Sequence, residues 1–202
     1  MFILFLIYLS LKPSSARNAW YTRKAKCSYP SSHTQDLVSL AKKIKLTLEK
    51  TDIEFFLCYG SLWGAIRIKR QLPWDKNLDF CIMNEDLTKI EEATIYRAFR
   101  HTGVTVSYNP KEGEYTAYFQ SATASLTVFQ LSEDYASLER IGWSHKLFKN
   151  SPGQQFPSRL AAPPLPFIKF FNESMPVPKG DIEIQKFLYP DNWFREMKPP
   201  GC

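Results

Sequence analysis

The sequence predicts an α+β fold: a mixed sheet flanked by helices, followed by a proline-rich, irregular C-terminal part. Three observations carry that expectation. An amphipathic helical stretch precedes two short, uninterrupted apolar runs of strand length. A second helical stretch then leads into alternating runs that read as a hairpin. From residue 151 onward prolines crowd the chain. Helix, two strands, helix and hairpin, in that order, group the elements rather than alternating them strictly, which is the α+β pattern. The 202 residues suit one domain, and their 44% hydrophobic and 15% aromatic content is ample for one packed core.

The elements follow in chain order. Residues 17–33, with Tyr29-Pro30-Ser31-Ser32, read as a linker ahead of a domain over 34–202. From Gln35 to Lys50, Leu37, Ala41, Ile44 and Leu48 recur on one helical face, while Lys42, Lys43, Lys45 and Glu49 fill the other. Ile53 to Tyr59 is a continuous apolar run, as in a strand covered on both faces. Gly60-Ser61 ends it, and Leu62 to Arg67 suits a short helix. Ile68 to Asn77 reads as a loop containing Pro73, and Leu78 to Met83 as a second buried strand. A helix is expected over Asp86 to His101, where Leu87, Ile90, Ala93, Tyr96 and Phe99 step by three. Val104–Tyr108 and Tyr115–Gln120 alternate and are joined by Asn109-Pro110-Lys111-Glu112-Gly113, a hairpin. Ser125–Leu131 is a further strand, and Ile182–Leu188 a short helix before Pro190.

The compartment is read from both ends of the composition. Phe2 to Leu11 is an apolar run followed by Lys12, Pro13 and the small residues Ser14-Ser15-Ala16. It has the length of a signal-peptide core and falls short of the roughly twenty residues a membrane-spanning helix needs. Residues 1–16 are therefore expected to be a signal peptide or short signal anchor, with membrane association only through that N-terminus if it is retained. A buried N-terminal strand is the plainer alternative. Asn172-Glu173-Ser174 is a glycosylation sequon. These features predict a secretory-pathway location in the Golgi or ER lumen, or secretion. Cys27, Cys58, Cys81 and Cys202 allow three disulfide connectivities, and spacing does not choose among them. His33, His101 and His145 are too scattered for a structural zinc site. The formal charge of +6 is spread along the chain without a basic, aromatic-interleaved helix face, so no nucleic-acid partner is expected.

The chemistry concentrates in one segment, Cys58-Tyr59-Gly60-Ser61-Leu62-Trp63-Gly64-Ala65-Ile66-Arg67, followed by Pro73-Trp74-Asp75-Lys76-Asn77-Leu78-Asp79. Glycine lets backbone approach a ligand closely, and a helix start offers free N–H groups to a phosphate. Residues two apart on a strand share a face, so Asp75, Asn77 and Asp79 would group while Leu78 and Phe80 enter the core. Grouped oxygens opposite a phosphate-binding turn suit divalent-metal-dependent phosphoryl transfer. Arg67, Lys69, Arg70 and Lys76 would add positive potential. Gly-Ser is equally common in plain turns, and Trp63 and Trp74 are more often core aromatics.

The block from Tyr59 to Arg67, with Pro73-Trp74-Asp75 and Asp79, resembles the signature of the LicD family, to which fukutin and fukutin-related protein are similar. Val177-Pro178, Phe187-Leu188-Tyr189 and Trp193 resemble that family's C-terminal end. The resemblance implies a nucleotidyltransferase-like fold and transfer of a phospho-alcohol group from a CDP-linked donor to a glycan acceptor. It further implies Mg²⁺ or Mn²⁺ held by Asp75, Asn77 and Asp79, with Asp75 and Asp79 catalytic and Gly60, Ser61 and Arg67 binding substrate. Asn77 stands where the family has an acid. Thr127, in Thr127-Val128-Phe129, stands at the place of a third. Fewer charges weaken a divalent site. An impaired or inactive member that holds a nucleotide, a glycan or a partner transferase is thus the alternative function, and a secreted structural protein without a ligand is a third.

Overall fold

In a computed structural model of the chain, the described residues are 26–147, 153–191, 193–194 and 198–202. The apolar run Phe2–Leu11 and the boundary at residue 16 lie outside them, as do residues 17–25 of the expected linker. Among the described residues, no helix is long and apolar enough to cross a membrane.

Helix α1 (Ser31–Lys50) begins earlier than its apolar periodicity and buries Leu37, Leu40, Ala41, Ile44 and Leu48 along one face. Strand β1 (Phe55–Leu57) runs into α2 (Tyr59–Ile68), and β2 (Asn77–Met83) follows a turn. The helix expected over Asp86–His101 is two helices, α3 (Asn84–Leu87) and α4 (Glu92–His101). The Asp86 carboxylate accepts the Glu54 backbone N–H at 3.0 Å, and a tight turn from Ile90 N–H to Leu87 carbonyl at 3.2 Å ends the first helix.

Strands β3 (Thr105–Asn109), β4 (Glu114–Phe119) and β5 (Ala122–Leu131) form the expected meander, and β6 (Ser137–Arg140) and β7 (Gln155–Pro157) extend it. A short helix α5 (Trp143–Leu147) lies between these last two strands. The sheet order is β1-β2-β5-β4-β3, with β6 joining β5 to β7. β2 and β5 are parallel and every other pair is antiparallel, so the sheet is mixed. Phe56, Phe80, Phe99, Phe129, Phe156 and Phe170 are fully buried between this sheet and its covering elements. Burial of a ring that size stabilises by about 2–3 kcal/mol.

The proline-rich part is more ordered than its composition predicts. Strands β8 (Phe167–Phe170) and β9 (Glu173–Pro176) form a separate two-stranded sheet, and α6 (Glu183–Leu188) follows. Phe171 and Asn172 have φ of 52° and 65°, the left-handed pair of a two-residue hairpin turn. Asn172 of the sequon is exposed at that turn. The four cysteines are all paired: Cys27 with Cys202, and Cys58 with Cys81.

Candidate functional site

The edge of the sheet where β2 begins opens into a cleft of about 560 Å³. Asp75 does not reach it by strand alternation, because the strand begins only at Asn77. Pro73 occupies the second position of a turn closed by Asp75 N–H and the Leu72 carbonyl at 3.0 Å. That turn swings Asp75 back beside Asp79, which is reached in the ordinary way from β2. A methyl group on Gly60 would land on Asp75 Oδ2, and Asp79 Oδ2 lies 3.2 Å from the same point. Both carboxylates therefore converge over the bare Cα of Gly60, and a side chain there would displace Asp75.

The backbone around Asp79 is held from two sides. Its N–H donates to Ser61 Oγ at 2.8 Å, and its carbonyl accepts the Cys58 N–H at 3.2 Å. The Ser61 hydroxyl donates to Gln71 Oε1 at 3.0 Å, and the Gln71 amide donates to the Asn77 carbonyl at 2.5 Å. Ser61 is fully buried and does not line the cleft. Its side chain lies beneath the acids and positions Asp79 rather than presenting a hydroxyl to a ligand. The Asn77 amide donates to Asp79 Oδ1 at 3.1 Å, which directs its nitrogen at the carboxylate. Arg67 lies apart from the cleft, its guanidinium 4.3 Å from the centroid of the Trp63 ring. Of the expected basic residues, Lys76 lines the cleft, whereas Arg70 faces a smaller cavity against Asp75.

The strand register shows which residue of β5 stands beside Asp79. β2 and β5 pair Asp79 with Ser125 and Cys81 with Thr127. Thr127 is fully buried two residues beyond the acids, opposite a cysteine bonded to Cys58, and Ser125 is the residue that faces Asp79 and lines the cleft. The position carries a hydroxyl and no carboxylate in either register. Among the described residues no group of three or more Asp, Glu, His or Cys side chains is arranged to hold a metal. Burial, and then the neighbouring charge of Asp79, push the Asp75 carboxyl well above its ordinary range.

Aromatic rings form the rest of the cleft and were not singled out as site residues from sequence. Tyr29, Tyr59, Trp74 and Tyr189 line it, and Tyr59 meets Tyr189 edge-on at 6.1 Å between centroids. Tyr59 has a φ of 47°, an uncommon conformation for a bulky side chain. The buried Gln185 amide of α6 donates to the Tyr59 carbonyl at 2.9 Å and holds that bend in place. A glutamine 126 residues away has no local signal that would mark it.

Comparison with known proteins bears on this geometry. A family model described as LicD/FKTN/FKRP, nucleotidyltransferase domain, matches residues 52–180, the stretch that contains both acids, Gly60 and Ser125. An uncharacterized protein, RP689, of Rickettsia prowazekii (strain Madrid E) is 36% identical over 72 residues, covering 36% of this chain and 26% of that protein. Two structures of the antibiotic-resistance factor ANT(2'')-Ia, one in solution and one a crystal complex with adenylyl-2''-tobramycin, share 14% identity with the chain. They align with TM-scores of 0.39 and 0.37 over 50% and 48% of this chain and 51% and 52% of theirs. The chain thus spans about a quarter of the curated relative and about half of each solved structure.

Proposed function

The chain belongs to the LicD/FKTN/FKRP family, matched across its nucleotidyltransferase domain, and from that premise we propose that it is a phosphotransferase of glycan modification. In this reading it moves a phospho-alcohol group from a CDP-linked donor to a glycan acceptor with one divalent cation, Mg²⁺ or Mn²⁺. The observation that carries it is the convergence of Asp75 and Asp79 on one point above Gly60 at the floor of the cleft.

The donor set fits one hard cation. Two carboxylates are enough for Mg²⁺ when water and substrate phosphates fill its remaining positions. It does not fit a pair of cations, for which the described residues supply too few acids. When bound, the cation supplies charge neutralisation at the transferring phosphate. The chain's own residues do the rest. Asp75 and Asp79 would hold the cation together, and the Ser61–Gln71–Asn77 chain of hydrogen bonds keeps Asp79 from drifting. Gly60 leaves the approach open, and Lys76 draws anionic oxygens toward the acids. Two disulfides and an exposed sequon support a lumenal or secreted location.

A second reading, an inactive member that holds a nucleotide, a glycan or a partner transferase, is favoured by one observation. The amide at Asn77 and the hydroxyl at Ser125 put neutral groups beside Asp79 on β2 and β5. Calorimetric titration of the purified chain with CDP, with and without Mg²⁺ or Mn²⁺, separates the two. Metal-strengthened binding, with donor turnover abolished by Asp79→Ala, supports the transferase. Metal-indifferent binding supports the holding module. No binding under any metal overturns the transferase and the nucleotide-holding form of the second reading, and leaves a glycan or a partner transferase as the occupant.

A further inference from the structure

One wall of the cleft comes from two segments far apart in sequence. Lys26 and Tyr29 line it from one end and Pro199 from the other. The bond between Cys27 and Cys202 ties these ends together across 175 positions of sequence. All of these residues lie outside the stretch 52–180 that the family model matches. The wall is also cationic. Lys198 stands 6.0 Å from the centroid of the cleft residue Trp74, and Lys26 lies 5.5 Å from that of Tyr29. Tyr29 and Asp75 also line a smaller neighbouring cavity together.

We propose that the clasped chain ends are a working wall of the binding cleft. Lys26 and Lys198 take the phosphate end of an anionic donor, Tyr29 closes the side over Asp75, and the Cys27–Cys202 bond sets the affinity. The substrate class in this proposal rests on the transferase reading above; the placement of the wall does not. Acids and Lys26 lining one cleft, with Lys198 beside its Trp74, suit an anionic ligand whose phosphate is shared between a cation and ammonium groups.

The two disulfides differ in access, which makes the clasp separable from the core. Cys58 and Cys81 are fully buried, whereas Cys27 and Cys202 are exposed. An external dithiol therefore opens the clasp first. One thiolate attacks a clasp sulfur and displaces the other cysteine as a thiolate. The second thiol of the reagent then closes its own disulfide and releases the first cysteine. The protein gains two electrons and two protons, and the dithiol is oxidised by the same two electrons.

The test compares the full chain with Cys27→Ser/Cys202→Ser and with Lys26→Gln/Lys198→Gln. Two readouts are taken: CDP affinity in Mg²⁺ by calorimetry, and hydrogen exchange of residues 72–79. Opening the clasp is expected to speed exchange at 72–79 and to weaken CDP about tenfold, the loss of one or two charge-assisted contacts. The lysine variant is expected to weaken CDP by a similar factor with exchange unchanged. If exchange at 72–79 stays the same once the ends are freed, the wall does not cover the site and the proposal falls. It falls equally if CDP binds both variants as it binds the parent. If no form binds CDP, the donor reading fails while the exchange result still decides the wall.

Discussion

Gly60→Ala pulls stability and binding in opposite directions, and both effects follow from the geometry. Gly60 sits in ordinary helical backbone in the first turn of α2, with no left-handed φ to protect. Alanine there should gain about 0.5–1 kcal/mol of helix propensity over glycine. The new methyl group, however, falls on Asp75 Oδ2 and stands 3.2 Å from Asp79 Oδ2. The Asp75 backbone is fixed by its turn to Leu72, so the carboxylate yields by rotating away. A displacement of about 1 Å in a positioned group costs on the order of a hundredfold in function. The expected outcome is a thermal midpoint equal to or slightly above that of the parent. Mg²⁺-dependent CDP binding should fall by about ten- to a hundredfold. Differential scanning calorimetry and titration calorimetry on the same sample measure both. Unchanged metal-dependent binding would refute the convergence of the two acids. A loss of more than about 2 kcal/mol in stability would mean that Gly60 is there for packing.

Three further outcomes follow from the same site. Asp75 holds its proton to higher pH when folded than when unfolded, so the metal-free protein should lose stability as pH rises from the ordinary carboxylate range toward its raised value. Asp75→Asn should abolish that slope and gain about 1 kcal/mol at neutral pH while losing metal-dependent binding, as read by thermal melts across pH. Asn77→Asp replaces a neutral neighbour of Asp79 with a third carboxylate and should strengthen Mn²⁺ binding by about tenfold; an unchanged titration would show that position 77 does not face the cation. Ser61→Ala leaves Gln71 Oε1 and the Asp79 N–H without the hydroxyl that joins them, and should cost about 1–3 kcal/mol in urea unfolding.

What was legible in the sequence is what local chemistry encodes. The apolar stripe of α1, the buried run into Gly60 and the hairpin around Gly113 all announce themselves through periodicity and turn residues. The two acids were legible as a pair, although Asp75 arrives through a proline turn and not along a strand. The hairpin of β8 and β9 was hidden because its turn uses Phe171 beside Asn172 in place of a glycine, within a stretch whose prolines argue against strands. The residue that pairs with Asp79 was not legible, since a short Thr-Val-Phe match fixes no register while backbone pairing shows Ser125 there. Ser61 shows a different limit. A serine after glycine at a helix start reads as a phosphate contact, and only its burial reveals that its hydrogen bonds run inward. Tyr29 and Tyr189 reach the cleft, and Gln185 reaches the Tyr59 backbone, from sequence positions far from the motif, where pattern carries no information about proximity.

The single parallel pairing in the sheet also dictates the order in which the molecule can assemble. β3, β4 and β5 pair with sequence neighbours, and β6 and β7 add to them in the same way. Joining β2 to β5 must instead bring Asn77 beside Thr123 across the intervening helices and strands. Pairings of high sequence separation close late, because loop entropy must be overcome before their contacts reward it. The acids stand on one side of that seam and Ser125 on the other. A newly made chain would therefore have a folded meander before it has a site, and damage confined to the seam would leave a largely structured protein unable to bind.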